Sequence, residues 1–193
     1  MKKLFIYKLF IIFIMLIIWF YFYTKLPDMV PIHWWIDWKP DQMGNKMINI
    51  ILIPLINLFI VILFPILSKL DPKKENYEKF SKIYEIFQFS IILFFLYMYV
   101  LILYISLHPE ISITRFIMIW MAFLFIILWN YMWNIRQNYF VWIKLPWTSA
   151  NEEVWNKTHR LWWKVFMLWW FIIWLNSFFL FYTFELFIFV LCL

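Results

Sequence analysis

The chain has 193 residues, of which 66% are hydrophobic and 26% aromatic, and its formal net charge is +6. A soluble domain of this length cannot bury so much apolar surface, so the composition predicts an integral membrane protein. The single cysteine, Cys192, excludes an internal disulfide and a cysteine-based metal cluster. The positive-inside rule explains the excess of basic residues more simply than nucleic-acid binding, which nothing else in the sequence supports.

Several apolar segments have the length that a membrane-spanning helix needs, which is about 20 residues for a hydrocarbon core of about 30 Å. They are residues 4–23, 47–67, 83–105, 116–134 and 164–181. Residues 182–193 are also apolar and would form a short sixth helix, although Glu185 within them has no explanation. The sequence therefore predicts an all-α, polytopic membrane bundle with five or six transmembrane helices.

Lysine and arginine are distributed unevenly between the two sides of this bundle. Thirteen of these residues belong to one side when Lys8 and Lys164, near the ends of their helices, are counted with the adjoining segments, and four belong to the other side. Short cytoplasmic loops are enriched in basic residues. We therefore predict that the N-terminus, residues 68–82 and residues 136–163 face the cytoplasm. Residues 25–46 would then form an external loop, and residues 68–82 a solvated cytoplasmic loop.

The stretch from 138 to 164, NYFVWIKLPWTSANEEVWNKTHRLWWK, is polar and specific in an otherwise apolar chain. Ser149 stands three residues before Glu152, which is the capping-box spacing that starts a helix. Polar and aromatic residues then recur at three-to-four spacing and would share one face: Glu152, Asn156, His159 and Trp163. We expect a short amphipathic helix along the membrane surface, whose polar face, with the adjoining Arg160, docks a soluble partner.

The same stretch matches a long loop motif at many positions. The matching residues are Asn138, Tyr139, Phe140, Ile143, Pro146, Trp147, Thr148, Asn151, Glu152, Trp155, Thr158, His159, Arg160 and Lys164. It therefore resembles the signature loop of the SdpI-type immunity proteins, bacterial membrane proteins that protect cells from secreted peptide toxins. The departures are Trp142, Trp162 and Trp163 at glycine sites, Lys144 for arginine and Leu145 for threonine. We call residues 138–164 the signature segment.

A second pattern lies in the predicted external loop, where three prolines forbid a continuous helix. Its matching residues are Leu26, Pro27, Asp28, Val30, Pro31, His33, Pro40 and Asp41, and Trp38 occupies a glycine site. The pattern resembles a domain of unknown function found at the N-terminus of the same family. Two patterns in this order predict a two-helix unit over residues 1–67 and an SdpI-like unit over residues 68–193.

Metal binding by the external loop is not favoured. The acidic and imidazole side chains of the loop, Asp28, His33, Asp37 and Asp41, fit no zinc signature, and we expect them to cap turns between prolines. The sequence predicts no metal and no other cofactor.

The sequence contains no motif of a metalloprotease, a serine hydrolase or a P-loop enzyme, so we predict no enzymatic activity. His159 and Glu152 could form an acid–base pair, but we expect both to anchor the loop against the bundle. The resemblance implies a protective function, with the bilayer, a peptide toxin met outside or within the membrane, and a cytoplasmic repressor as partners. A small transporter with a path lined by Asn57, Gln88 and Glu185, or a structural subunit, stays an alternative.

The predicted contact residues follow from the two motifs. In the signature segment they are Asn138, Tyr139, Phe140, Pro146, Trp147, Thr148, Asn151, Glu152, Trp155, His159 and Arg160. In the external loop they are Pro27, Asp28, Pro31, His33, Pro40 and Asp41.

The numbers of glycine and tryptophan residues are unusual. The chain has one glycine and 15 tryptophans, whereas ordinary usage of about 7% would give roughly 13 glycines. Trp129 and Trp133 are four residues apart, as are Trp170 and Trp174, which with glycine is the small-xxx-small spacing of packed membrane helices. Glycine sites of the family are occupied by Trp35, Trp38, Trp142, Trp162 and Trp163.

We therefore hypothesise that UGA codons, which some bacterial lineages read as glycine, are rendered here as tryptophan. Reading the codons of the gene tests this hypothesis, and we expect UGA at Trp142, Trp162 and Trp163. UGG at these three positions would refute it.

Overall fold

The structure, a computed structural model, describes residues 2–35, 39–141 and 143–179. The described residues are mostly helical. In chain order the elements are α1 (Lys2–Tyr23), β1 (Met29–Trp34), β2 (Pro40–Asn45), α2 (Lys46–Leu70), α3 (Lys74–Lys79), α4 (Ser81–Leu107), α5 (Thr114–Asn130), a 3₁₀ turn (Met132–Asn134), α6 (Pro146–Ala150) and α7 (Glu152–Phe179).

Helical regions long and apolar enough to cross a membrane correspond to the first four predicted spans. Within the described part of the chain these regions are Phe5–Tyr23, Lys46–Leu70, Ser81–Leu107 and Thr114–Asn134. Large apolar side chains on them, such as Phe20 and Phe59, are exposed, as residues that face lipid would be. The chain is therefore a multi-pass membrane protein.

The predicted fifth helix over residues 164–181 is helical over 164–179, where the described residues end, but it is not a separate helix. One continuous helix, α7, runs from Glu152 to Phe179, and neither proline nor glycine interrupts it. The predicted surface helix is thus the first part of this longer helix, which carries five charged residues in its first half and is not among the four candidate spans. The predicted sixth helix, residues 182–193, lies outside the described residues, as does Glu185.

The prediction of an all-α fold is also wrong in one respect, because the proline-rich stretch forms a β-hairpin. Strands β1 and β2 pair antiparallel, from Met29 opposite Asn45 to Trp34 opposite Pro40, and the register shifts on both sides of His33. Proline lacks an N–H donor, but each strand of a two-stranded sheet is an edge strand, where proline is tolerated. The prolines thus exclude a continuous helix here but not an edge strand.

The one glycine of the sequence, Gly44, lies in β2 opposite Val30. A Cβ at this position would lie 2.7 Å from Ile32 Cδ1 and 2.9 Å from its Cγ2. Glycine is therefore required here by close approach of the backbone to a branched side chain.

The described residues form two compact units, each built from two chain segments. Unit 1 consists of segments Met1–Ile62 and Ile91–Ile117, and unit 2 consists of segments Leu63–Ser90 and Met118–Leu193. The division predicted from the motifs, at residues 67 and 68, follows the chain, whereas the compact units interleave along it. The two-domain organisation stays a prediction.

Buried amides hold unit 1 together. Asn49 Nδ2 donates to Pro31 O at 2.6 Å and ties α2 to the hairpin. Asn57 is fully buried in the middle of α2; its Nδ2 donates to Ile92 O at 3.3 Å and lies 3.1 Å from Met15 Sδ. Asn57 therefore joins three helices, as polar residues within membrane helices commonly do.

The core of unit 2 is aromatic, and the predicted solvated loop of residues 68–82 contributes to it. The charged residues Lys74, Glu75, Glu78 and Lys79 of this loop are exposed, as predicted, but the loop also contains α3, and its Tyr77 and Phe80 are buried. The three-to-four spacing of the aromatic side chains places them on one side of the chain. The buried cluster consists of Tyr77, Phe80, Tyr84, Phe87, Leu128, Ile135 and Trp155.

A second cluster joins α5 to α7 in the same unit. Phe125 stacks on Trp170 with ring centroids 4.2 Å apart, and Trp129 stacks on Phe166 at 3.8 Å. Ala122 is fully buried beside them. Both stacked pairs contain a tryptophan that the sequence analysis singled out as a glycine candidate.

Candidate functional site

Asp71, directly after α2, is the centre of a polar site in unit 2. Its buried carboxylate accepts hydrogen bonds from Lys73 N at 2.7 Å, Tyr77 Oη at 3.0 Å and Tyr139 N at 2.8 Å. A buried carboxylate is costly unless such donors satisfy it. Burial and the hydrogen bond to Asp71 raise the pKa of the Tyr77 hydroxyl, so this group stays a donor. Asp71 therefore connects the start of the signature segment to a part of the chain 68 residues earlier.

Gln137 forms the second connection. Its Oε1 accepts a hydrogen bond from Lys73 Nζ, and its backbone oxygen accepts one from Asn76 Nδ2 at 2.8 Å. Its Nε2 donates to Thr148 O at 2.9 Å and to Ser149 O at 2.7 Å. Gln137 thus holds both ends of the irregular stretch between the 3₁₀ turn and α7. Four residues of the site are not predicted from the sequence, because no motif contains them: Asp71, Lys73, Asn76 and Gln137.

Asn138 and Thr148 satisfy backbone groups within this stretch. Asn138 Oδ1 accepts from Phe140 N at 3.0 Å and from Val141 N at 2.6 Å, and its Nδ2 donates to Arg136 O at 2.9 Å. Thr148 Oγ1 accepts from Leu145 N at 2.9 Å. Both side chains are buried. Because buried backbone donors need acceptors, these two residues fix the local chain conformation.

The prediction that Ser149 caps the following helix is wrong. Helix α7 begins at Glu152, and Asn151 Oδ1 accepts hydrogen bonds from Glu153 N at 2.8 Å and Val154 N at 3.2 Å. Asparagine is as good an N-cap as serine. Pro146 starts the preceding short helix, α6, which includes Ser149.

An ion pair joins two residues four positions apart in the first turns of α7. Lys157 Nζ lies 2.7 Å from Glu153 Oε1, and both side chains are exposed. An exposed pair at this spacing stabilises a helix by only about 0.3–0.5 kcal/mol.

Trp155 and His159 lie inside unit 2. Trp155 Nε1 donates to Ile135 O at 2.8 Å, and the rings of Trp155 and His159 stack with centroids 4.1 Å apart. His159 is 1% exposed, and its Nδ1 lies 2.8 Å from Trp155 O. A carbonyl oxygen only accepts, so Nδ1 carries the proton. Nε2 is buried and has no hydrogen-bond partner among the described residues.

The predicted docking face of α7 therefore does not face solvent as a whole. His159 is buried, Asn156 and Trp163 are half-buried, and Glu152 is exposed. The different environments of Glu152 and His159 also do not favour an acid–base pair. The solvent-exposed charged side of the helix instead carries Glu153, Lys157, Arg160 and Lys164.

The predicted contact residues of the signature segment fall into two groups. The inward group is buried and comprises Asn138, Thr148, Trp155 and His159. The outward group is exposed and comprises Tyr139, Phe140, Pro146, Trp147, Asn151, Glu152 and Arg160. Trp142, between them in sequence, lies outside the described residues.

Residues of the predicted external loop form two polar contacts within or beside the hairpin of unit 1. His33 Nδ1 lies 2.6 Å from Asp41 Oδ1, and Asp28 Oδ1 lies 3.1 Å from Lys46 Nζ. Pro31 is buried, while Pro27 and Pro40 are exposed. Within the described ranges, which omit Asp37, no three acidic, histidine or cysteine side chains are placed to hold a metal ion.

Comparison with known proteins agrees with both motifs. Residues 134–193 match the SdpI/YfhL protein family, and residues 10–58 match the Domain of unknown function (DUF1648). The chain is 30% identical over 157 residues to the Immunity protein SdpI of Bacillus subtilis (strain 168). The aligned residues cover 81% of this chain and 73% of that protein. This chain belongs to the SdpI/YfhL protein family. The resemblance predicted from the sequence is thus confirmed, and no solved structure matches the chain.

The first prediction concerns Asp71. Replacing it with alanine leaves the buried donors of Lys73, Tyr77 and Tyr139 without an acceptor. We expect Asp71→Ala to lower the free energy of unfolding by about 3 kcal/mol or more. Thermal unfolding of the purified protein in detergent, followed by circular dichroism, measures this loss. Trypsin should also cleave faster at Arg136 and Lys144.

The matched control is Asp41→Ala, because the carboxylate of Asp41 is bonded to His33 but partly exposed. This change should cost less than about 1 kcal/mol. Equal losses for the two variants would show that Asp71 has no special structural role.

The second prediction concerns pH. Burial lowers the pKa of His159 below its usual 6.5, against a smaller opposite effect of the bond to Trp155 O. The unfolded chain therefore binds a proton at higher pH than the folded chain does. The stability contributed by neutral His159 should be complete above pH about 6.5 and should decrease as the pH falls below it.

Melting temperatures measured from about pH 8 to pH 5 test this dependence, since carboxylates titrate mostly below that range. His159→Gln should flatten the profile over this range. An identical profile for wild type and His159→Gln would contradict the prediction.

Proposed function

We propose that this protein is a membrane immunity protein that protects a bacterial cell against a secreted antimicrobial peptide. The observation that supports this most is its similarity to a protein named Immunity protein SdpI over 73% of that protein's length. The signature segment adds support, because its motif residues form one hydrogen-bonded structure with a buried and an exposed group. The proposed activity is binding rather than catalysis.

The proposed orientation follows from the distribution of lysine and arginine. The N-terminus and the signature segment would face the cytoplasm of a cell whose cytoplasmic membrane holds the protein, and the hairpin would face outward. Met29 and Met43 on the hairpin are exposed, and flexible methionine side chains suit contact with a membrane-active peptide. The toxin would thus be met at the hairpin or within the membrane.

A cytoplasmic regulator such as a repressor is a second proposed partner. Because His159 is buried, we place the surface that would contact this regulator on the exposed side of α7 and not on the predicted face. The residues proposed for this contact are Glu153, Lys157, Arg160 and Lys164. Because three of the four are basic, the surface suits an acidic partner.

The transporter alternative receives no support from the residues that suggested it. Asn57 is fully buried and bonded to Ile92 O, which is a structural role in helix packing. Gln88 is buried, and Glu185 lies outside the described residues. We therefore do not propose transport.

Expression in a toxin-sensitive host tests the proposed function. We expect a higher minimum inhibitory concentration for at least one of several membrane-active peptides. Trp147→Ala should reduce this protection while expression stays unchanged, because the side chain is exposed and its removal does not open the core. His159→Ala should also reduce it, through loss of packing.

Phe171→Ala is the control, since Phe171 is an exposed apolar residue elsewhere on α7. Immunoblots should confirm equal amounts of the Trp147→Ala and Phe171→Ala variants in the membrane. Unchanged survival across all the peptides would count against immunity, and solute uptake by vesicles containing the purified protein would favour transport instead.

A further inference from the structure

We propose that the outward apolar side chains of the signature segment insert into the headgroup layer of an anionic lipid bilayer. We call these side chains the interfacial patch. It consists of Tyr139, Phe140, Leu145 and Trp147, which are 45%, 38%, 37% and 59% exposed. This proposal concerns the membrane itself and does not depend on a toxin or a regulator.

The apolar surface of the patch is the first argument. Four large apolar side chains within nine residues are exposed, although the same stretch buries its polar residues Asn138 and Thr148. Exposed apolar surface of this kind marks a contact with a partner or a membrane. Tyrosine and tryptophan in particular are enriched where a membrane meets water, because each has an apolar ring and a polar group.

The irregular backbone between the 3₁₀ turn and α6 limits how deeply this stretch can lie in the membrane. The described residues between the 3₁₀ turn and α6 form neither helix nor strand. Irregular backbone exposed to lipid does not occur in the hydrocarbon core, where unsatisfied N–H and C=O groups cost several kcal/mol each. The stretch follows the candidate span Thr114–Asn134, which contains α5, and leads through α6 to α7. The headgroup layer is therefore the depth that suits both its backbone and its apolar side chains.

The backbone donors beside the patch are already satisfied within the protein. Tyr139 N donates to Asp71, Phe140 N to Asn138 and Leu145 N to Thr148. These amides therefore do not need water, and moving them from water into the headgroup layer carries no desolvation cost for an open donor. The buried polar network thus lets this irregular segment enter a less polar environment.

The charge of the stretch indicates the class of lipid. Arg136 and Lys144 are exposed beside the patch, and the sequence from 131 to 151 contains no acidic residue. Basic residues at a membrane surface are attracted to anionic headgroups by about 1 kcal/mol each. Phosphatidylglycerol in a phosphatidylcholine bilayer is a suitable probe for this preference.

Spin-label accessibility tests the proposal. The full chain, with Cys192→Ser, would carry a nitroxide at Trp147→Cys and be placed in nanodiscs of phosphatidylcholine with or without phosphatidylglycerol. We expect the label to be reached more by oxygen and less by a water-soluble nickel complex than a label at Glu153→Cys, whose side chain is 73% exposed on α7. The difference should increase with phosphatidylglycerol.

Leu145→Cys provides a second label if Trp147→Cys does not fold. Lys144→Gln should reduce the increase in this accessibility difference that phosphatidylglycerol causes. The physical reason is that loss of one basic residue lowers the relative affinity for the anionic lipid by about fivefold.

Nickel access equal to that of the Glu153→Cys label would overturn the proposal and show a water-facing surface open to a soluble protein. A label reached by neither reagent would also overturn it, because protein would then cover the patch. The same depth in both lipid mixtures would overturn the preference for anionic lipid.

Discussion

The hydrogen bond from Tyr139 N to the buried carboxylate of Asp71 reflects a constraint on the whole signature segment. The chain must pass from α5 to α7 through irregular backbone at the end of membrane helices, where each N–H and C=O group needs a partner. Side chains supply those partners: Asp71 and Gln137 connect distant segments, while Asn138 and Thr148 act locally. At the other end, Trp155 Nε1 donates to Ile135 O, and His159 stacks on Trp155.

In this arrangement some motif residues are buried and others are exposed, so the two groups have different structural roles. Asn138 is buried and its side chain fixes the local shape of the segment. Trp147 is exposed and contributes little to the core, so its side chain is available for contact with another molecule. Substitutions in the two groups should therefore fail differently, the first by loss of folded protein and the second by loss of binding with folded protein intact.

The sequence predicted the membrane class, the first four spans and the family, because apolar length and a long motif are local properties. It did not reveal Asp71 or Gln137, whose partners lie up to 68 residues away. Three-to-four spacing showed that Glu152, Asn156 and His159 share a face of α7, but spacing does not say whether a face is buried. The neighbouring Trp155, with its large apolar ring, was the available signal that this side packs inward. The hairpin was missed because prolines argue against helix without excluding edge strands.

The proposal that many tryptophans are glycines bears on α5 and α7 but leaves the site unaffected. Trp129 and Trp170 each stack on a phenylalanine of the opposite helix, and glycine at these positions would let the two backbones approach more closely. The site depends instead on Asp71, Gln137, Asn138 and Thr148, none of which is in question. Trp147 and Trp155 stand where the family motif also has tryptophan. The division of the signature segment into a buried support and an exposed patch therefore holds under either reading of the codons.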